Sequence, residues 1–426
     1  MLGHWSIDDW NLHLVSVPYS LIHAAVFVLV GPGIIQARLV EIVVTALTTA
    51  LVVLGLSRAV GPGPATIGGL AFGTSALVLY YGRLALLEPL VALGLTACAV
   101  FLTTGSDRRP VVAGILAGAG LAVAIGTKLL AMPSGGGLLL AAALMSWDRP
   151  PARIRFVSAV ATSIVAALAW LVVVGLPHGA QVAAHLARYP AEPLPASVAI
   201  AVSRAVQYAT HSDGALTFGA PLFAGGAVGA ILGLRSWGRL APAARALLVV
   251  AIGWFVAGFV PLTIVPYAPN RYVLPSLPPL ALMIGIGLQT VFSWESSKRR
   301  AFRAVQIVAI TIAVCAPGLL SYALWMARAP TTLPAIQAQV AAAVPGDATV
   351  AGGLAPLLAM RTTGPVLFSL FGINQGDLYA EKGVRWVVVG RQAPTWAARH
   401  PDAWANRRLI LSTTWGGNRV ELYRLP

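Results

Sequence analysis

The feature that most constrains this chain is the recurrence of apolar stretches long enough to cross a bilayer. Roughly ten of them lie near residues 38–57, 61–82, 84–104, 109–127, 129–147, 156–176, 218–234, 245–265, 273–294 and 303–327, each matching the ~30 Å of hydrocarbon that a spanning helix crosses. A backbone in lipid must satisfy its own hydrogen bonds, so each run reads as a helix. The fold class expected is an all-α polytopic membrane bundle of about ten transmembrane helices with a small C-terminal α/β extracytoplasmic domain. Of 426 residues, 58% are hydrophobic and only 10% charged, far from the quarter or so charged in soluble domains. Residues 14–34 are also apolar, but Pro18, His23 and Gly31-Pro32-Gly33 interrupt them, which predicts a bent helix lying at the membrane surface.

The 29 basic and 14 acidic residues leave a formal charge of +15, and the excess sits in short clusters between apolar runs. That distribution argues for a bilayer and against nucleic acid as the partner. Alternate loops hold Arg58; Arg108 and Arg109; Arg149, Arg153 and Arg155; Arg235, Arg239 and Arg245; and Lys298, Arg299, Arg300 and Arg303. The intervening short loops hold only Arg83, Lys128 and Arg271, so thirteen basic residues stand against three. Basic loops stay on the cytoplasmic side. The start of the chain, the 177–217 loop and the C-terminal tail are therefore expected on the outer face of the cytoplasmic membrane. Residues 1–13 are polar and do not form a signal peptide, so a preceding cytoplasm-to-outside helix is expected upstream of Met1. The alternative is that the first span inverts by itself. Cys98 and Cys315 each lie inside an apolar run, which leaves no disulfide framework or cysteine metal site.

After Pro330 the pattern changes, dividing the chain into a transmembrane domain at 1–329 and an extracytoplasmic α/β domain at 330–426. Within the first, residues 1–37 are read as an outer loop with interfacial helices. In the second, helices are predicted at 335–344, 354–361 and 377–383, and strands at 348–352, 365–370 and 385–390. Runs at 409–413 and 419–425 flank Gly416-Gly417-Asn418, a hairpin signal. The domain has no glycine-rich nucleotide loop and no catalytic triad, so substrate recognition or support is its expected role. Glycines four residues apart, such as Gly114 and Gly118 or Gly225, Gly229 and Gly233, predict close helix packing and carry no chemistry of their own.

Ionisable groups at a membrane boundary are costly unless paired or hydrated, so the few on the expected outer side carry the functional reading. Asp8 and Asp9 precede the first apolar run and are followed by Trp10, Asn11 and His13. Adjacent carboxylates can hold a divalent cation such as Mg or Mn, or raise each other's pKa so that one serves as a base. The alternative is that they cap a helix starting near Trp10. Arg83 and Glu88 stand in YYGRLALLEP, five residues apart, beyond the spacing of a helical ion pair, so they are expected to point at different groups. Lys128 ends the fourth run in IGTKLL, and Arg271 with Tyr272 opens the ninth in PNRYVLP. Singly these cations could snorkel to the interface; together they form the cationic set that a phosphate needs.

The order of these landmarks resembles the membrane-embedded C-type glycosyltransferases that take sugar from a polyprenyl phosphate, including the protein O-mannosyltransferases (glycosyltransferase family 39) and the aminoarabinose transferases. Asp8-Asp9 stands where the family has its acidic pair in the first outer loop, and SVPYSLIHAAVFVLVGPGIIQARLVEI resembles its interfacial helices. YYGRLALLEPL is similar to the second outer-loop motif, with Arg83 and Glu88 as its base and acid. GTKLL and NRYVLPSLPPLAL resemble the lysine at a span end and the basic-Tyr-x-x-Pro entry to a late helix, while GVRWVVV and VELYRL resemble the outer domain. The likeness covers nearly the whole chain from Asp8, with two departures: the family has a helix before its acidic pair, and that pair is more commonly Asp-Glu. The resemblance implies an inverting glycosyltransferase, with Asp8 or Asp9 as base, Glu88 positioning the acceptor, and Lys128, Arg271, Tyr272 and Arg83 around the donor phosphate. A glycan, lipid or protein acceptor in the cell envelope follows from the same likeness.

Two other classes compete. A lipid or solute transporter, or a flippase, also has many helices, packing glycines and a few intramembrane charges, but its charges belong near the midplane between matching halves. A noncatalytic assembly protein would use the C-terminal domain as its binding module.

Overall fold

The computed structural model describes residues 16–31, 33–180, 182–183, 198–210, 219–264, 269–293, 300–328, 332–369, 376–390, 393–415 and 418–426. Thirteen α-helices are named before residue 330 among these residues: α1 (Val17–Val30), α2 (Ile34–Val60), α3 (Pro62–Gly73), α4 (Ala76–Tyr81), α5 (Glu88–Thr104), α6 (Pro110–Thr127) and α7 (Ala131–Ser146); then α8 (Pro150–Trp170), α9 (Val198–Thr210), α10 (Ala220–Arg235), α11 (Pro242–Ile264), α12 (Leu277–Ser293) and α13 (Arg300–Arg328). Proline opens several of them, as at Pro62, Pro110, Pro150 and Pro242, where its missing N–H costs no helical bond.

Among the described residues, six segments are long and apolar enough to cross a membrane: Ile34–Val60, Pro110–Thr127, Pro150–Gly175, Pro242–Ile264, Asn270–Phe292 and Val308–Ala327. Helices α5, α7 and α10 are apolar but only 17, 16 and 16 residues long. The run expected as one span at 61–82 differs from that reading, because it divides into α3 and α4 at Thr74 and Ser75. The division has a packing reason. A Cβ on Gly318 would lie 2.0 Å from the Thr74 carbonyl oxygen, so α13 crosses directly over the break. Helix α1 is a single helix of 14 residues, about 21 Å long and too short to span. It ends at Gly31, whose φ of +81° suits glycine and lets the chain turn into α2.

Helix α12 is buried nearly throughout its length, with α10 and α3 against it and α11 and α2 alongside. Small residues allow this approach: a Cβ on Gly229 of α10 would sit 2.3 Å from the Met283 carbonyl oxygen of α12. The same device joins α5 to α6, where a Cβ on Gly94 would lie 2.4 Å from the Gly120 oxygen. On the periphery, α8 leaves most of its apolar surface exposed, as a lipid-facing helix does.

The C-terminal domain begins with α14 (Leu333–Ala343) and contains β1 (Val350–Gly352), α15 (Ala355–Leu358), β2 (Val366–Phe368), α16 (Leu378–Glu381), β3 (Trp386–Val389), α17 (Pro401–Ala405), β4 (Arg408–Trp415) and β5 (Asn418–Arg424). The sheet order is β2-β1-β3-β5-β4, parallel among the first three and antiparallel at β3–β5 and β5–β4. The apolar run of β3 is buried on both faces: Trp386 and Val388 pack under α14, while Val387 and Val389 pack with Leu378 and Trp396. The hairpin is present as expected, although Gly416 and Gly417 lie outside the described residues.

Candidate active site

Three chain segments bring charge to one end of the bundle. Glu88 is the first residue of α5, followed by Pro89, a position where a carboxylate meets the positive end of the helix. Lys128 caps the end of α6, with its backbone N–H bonded to the Ala124 carbonyl, and a cation there meets the negative end. Arg271 and Tyr272 lie in a 3-10 turn, Asn270–Ser276, that leads into α12 and packs against α5. Arg108 and Arg109 lie past the far end of α5, the length of α6 away, about 27 Å.

The side chains meet on one oxygen. Lys128 Nζ donates to Glu88 Oε1 at 2.5 Å, and Arg271 Nε lies 3.5 Å from the same oxygen. The Lys128 ammonium stands 3.4 Å from the centre of the Tyr272 ring, a cation–π contact, with the Arg271 guanidinium 5.4 Å from that ring. Exposure rises from 3% at Glu88 through 18% at Lys128 to 36% at Arg271, so the carboxylate is innermost and Arg271 is at the rim. Burial holds the Lys128 ammonium below the usual lysine range, and Glu88 works against that shift. Two cations thus share one carboxylate oxygen.

Two solved structures of ArnT from Cupriavidus metallidurans share this architecture. The apo form matches with a TM-score of 0.68 at 16% identity, over 95% of this chain and 87% of that one. The form bound to undecaprenyl phosphate matches with a TM-score of 0.63 at the same identity and coverage. The archaeal oligosaccharyltransferase AglB from Archaeoglobus fulgidus, in complex with an inhibitory peptide and a dolichol-phosphate, matches with a TM-score of 0.56 at 13% identity, over 88% of this chain and 61% of that one. The chain shares its fold with these ArnT and AglB structures. At these identities the likeness is one of fold. No protein-family model and no curated protein sequence matches it.

Among the expected site residues, Glu88, Lys128, Arg271 and Tyr272 come together, and Arg83 does not join them. As the five-residue spacing predicts, Arg83 points elsewhere: its guanidinium lies 4.2 Å from the Trp325 ring centre, with Tyr322 at 5.6 Å and Tyr80 at 5.9 Å. Asp8 and Asp9 lie outside the described residues, and the candidate Mg or Mn site lies there with them. Among the described residues no group of three or more His, Cys, Asp or Glu side chains could hold a metal ion.

The sequence reading missed Glu41. This residue of α2 is 1% exposed, with His23 Nε2 of α1 at 3.4 Å from Oε1 and His23 Nδ1 at 3.0 Å from the Tyr19 carbonyl oxygen. Neither Glu41 oxygen has a hydrogen-bond partner among the described residues. A single acid inside an otherwise apolar run was the available signal.

Proposed function

We propose that this protein transfers a sugar from a polyprenyl-phosphate donor to an acceptor on the outer face of the cytoplasmic membrane, with inversion at the anomeric carbon. The observation that carries the reading is the convergence of Glu88, Lys128 and Arg271 at one end of a bundle with this fold. An acceptor hydroxyl attacks the anomeric carbon as its bond to the phosphate oxygen breaks. The electron pair leaves with the polyprenyl phosphate, and the hydroxyl proton passes to a carboxylate. Lys128 and Arg271 receive the phosphate charge. Glu88 holds both cations in place and positions the acceptor.

The proton acceptor in this proposal is Asp8 or Asp9. Support comes from Ser16, whose hydroxyl donates to the Thr127 carbonyl at 2.8 Å, beside Lys128. Ser16 thus stands beside the cluster, and seven residues of chain, the separation from Asp9, span at most about 25 Å. Charges gathered at one end of the bundle, instead of at its midplane, favour transfer over transport.

The test is incubation of the purified full-length protein with a panel of polyprenyl-phosphate sugars and cell-envelope acceptors, reading free polyprenyl phosphate. Release that depends on acceptor and is abolished by Asp9→Asn or Asp8→Asn supports the reading. Solute accumulation in sealed vesicles without donor consumption overturns it. Turnover lost in chelator and restored by Mg2+ or Mn2+ assigns an ion to the aspartate pair.

A further inference from the structure

Arg83 and Arg38 form a second basic site that the reaction above leaves unused. Arg38 lies on α2, seven residues before Thr45, and so on the same face two turns away. Thr45 Oγ1 donates to the Gly82 carbonyl at 2.8 Å, which fastens the turn bearing Arg83 beneath that face. Two helical turns, about 10 Å, separate Arg38 from Thr45, a span that two extended arginine side chains reach across together. Both Nε atoms are buried without a hydrogen-bond partner among the described residues, and no carboxylate pairs with either arginine there.

Like charges brought together in a half-buried place need compensation. The Tyr80, Tyr322 and Trp325 rings supply part of it at Arg83 through their faces, at about 0.5–2 kcal/mol for such a contact. Ring faces do not engage the N–H edges of a guanidinium, which are shaped for the oxygens of a phosphate. The flanks are apolar and exposed: Ile35, Leu39 and Ile42 on α2, and Leu320 and Leu324 on α13. An anion held here would have hydrocarbon on both sides.

We infer that Arg38 and Arg83, against the aromatic wall of Tyr80, Tyr322 and Trp325, form a lipid-phosphate site separate from the Glu88–Lys128–Arg271 group. Its ligand is a phosphate ester on an apolar chain, whether a polyprenyl phosphate or a bilayer phospholipid. The site stands whether or not the protein transfers sugar.

The experiment places full-length protein in phosphatidylcholine nanodiscs and labels arginines with phenylglyoxal, reading each site by mass spectrometry. Undecaprenyl phosphate, phosphatidylglycerol and inorganic phosphate are added in separate arms. Labelling of Arg38 and Arg83 is expected to fall about tenfold with a lipid phosphate, in keeping with charge-assisted bonds. Protection by undecaprenyl phosphate alone identifies a carrier site, and protection by both lipids identifies a general phospholipid site. Binding measured with Arg38→Gln and Arg83→Gln is expected to weaken by about tenfold or more, while Lys128→Gln leaves this site's protection intact. Unchanged labelling of the wild-type protein in every arm, or protection lost only with Lys128→Gln, overturns the inference. The labelling arm needs no variant to fold.

Discussion

Glu88 Oε1 lies 2.5 Å from Lys128 Nζ, joining the first residue of one helix to the cap of the next across 40 residues of sequence. The pair is nearly enclosed, so breaking it leaves a charge without its partner. Lys128→Gln or Glu88→Gln is expected to destabilise the bundle by about 3 kcal/mol, while the double substitution loses less than the sum of the two. Thermal unfolding of the four proteins in one detergent measures the coupling. Additive losses would remove the pair as a unit of stability.

Burial lowers the folded-state pKa of Lys128, only partly offset by Glu88. A lysine in this state loses its proton below the ordinary value of about 10.4, and the phosphate contact is lost with it. Donor binding is therefore expected to fall on the alkaline side as pH rises through that lowered pKa. Lys128→Arg, which stays charged, should move the limb upward. Donor affinity measured against pH in both proteins is the check, and coincident alkaline limbs would contradict it.

Close packing of α10 on α12 gives a third expectation. A Cβ at Gly229 would stand 2.3 Å from a backbone oxygen that cannot swing aside, whereas nothing lies within 4 Å of one at Gly136. Gly229→Ala is expected to cost about 1–3 kcal/mol. Gly136→Ala, inside α7, should be neutral or stabilising by up to about 1 kcal/mol. Melting temperatures of the two variants decide this, and equal values would show that the helices can separate freely.

In the C-terminal domain, the Ala380 backbone N–H and then His400, with Nε2 at 2.5 Å, hold the Asp377 carboxyl below its usual range. An acid with a depressed folded-state pKa stabilises above its unfolded value of about 3.9 and loses that contribution as pH falls through the folded value. Hydrogen exchange around α16 should accelerate in that acid range. Asp377→Asn should flatten the acid dependence, and an unchanged profile would show that the contact is indifferent to charge.

Much of the molecule is legible along the chain. Apolar runs recover most of the helices, though not Val198–Thr210, which lies in the stretch read as the 177–217 loop, and RWVVVG reads as a strand buried on both faces, which β3 is. Period and hydropathy are local properties, so they survive without knowledge of neighbours. The break at Thr74 and Ser75 escapes such a reading because its reason lies at Gly318, on another helix. Glu41 was passed over for a related cause: hydropathy averaged over a span hides one acid.

Sequence alone thus pointed to a helical membrane bundle with a small α/β domain, and it set Arg83, Lys128 and Arg271 in the short, sparsely charged loops, with Glu88 at the start of the run that follows Arg83. Only the tertiary structure decided that one carboxylate oxygen serves both cations, that Arg83 turns toward Trp325, and that Glu41 is buried beside His23. The physical reason is that helix hydrogen bonding and hydropathy act within a few residues. Partners for charges are chosen by which helices touch, and here contacts between small side chains settle that.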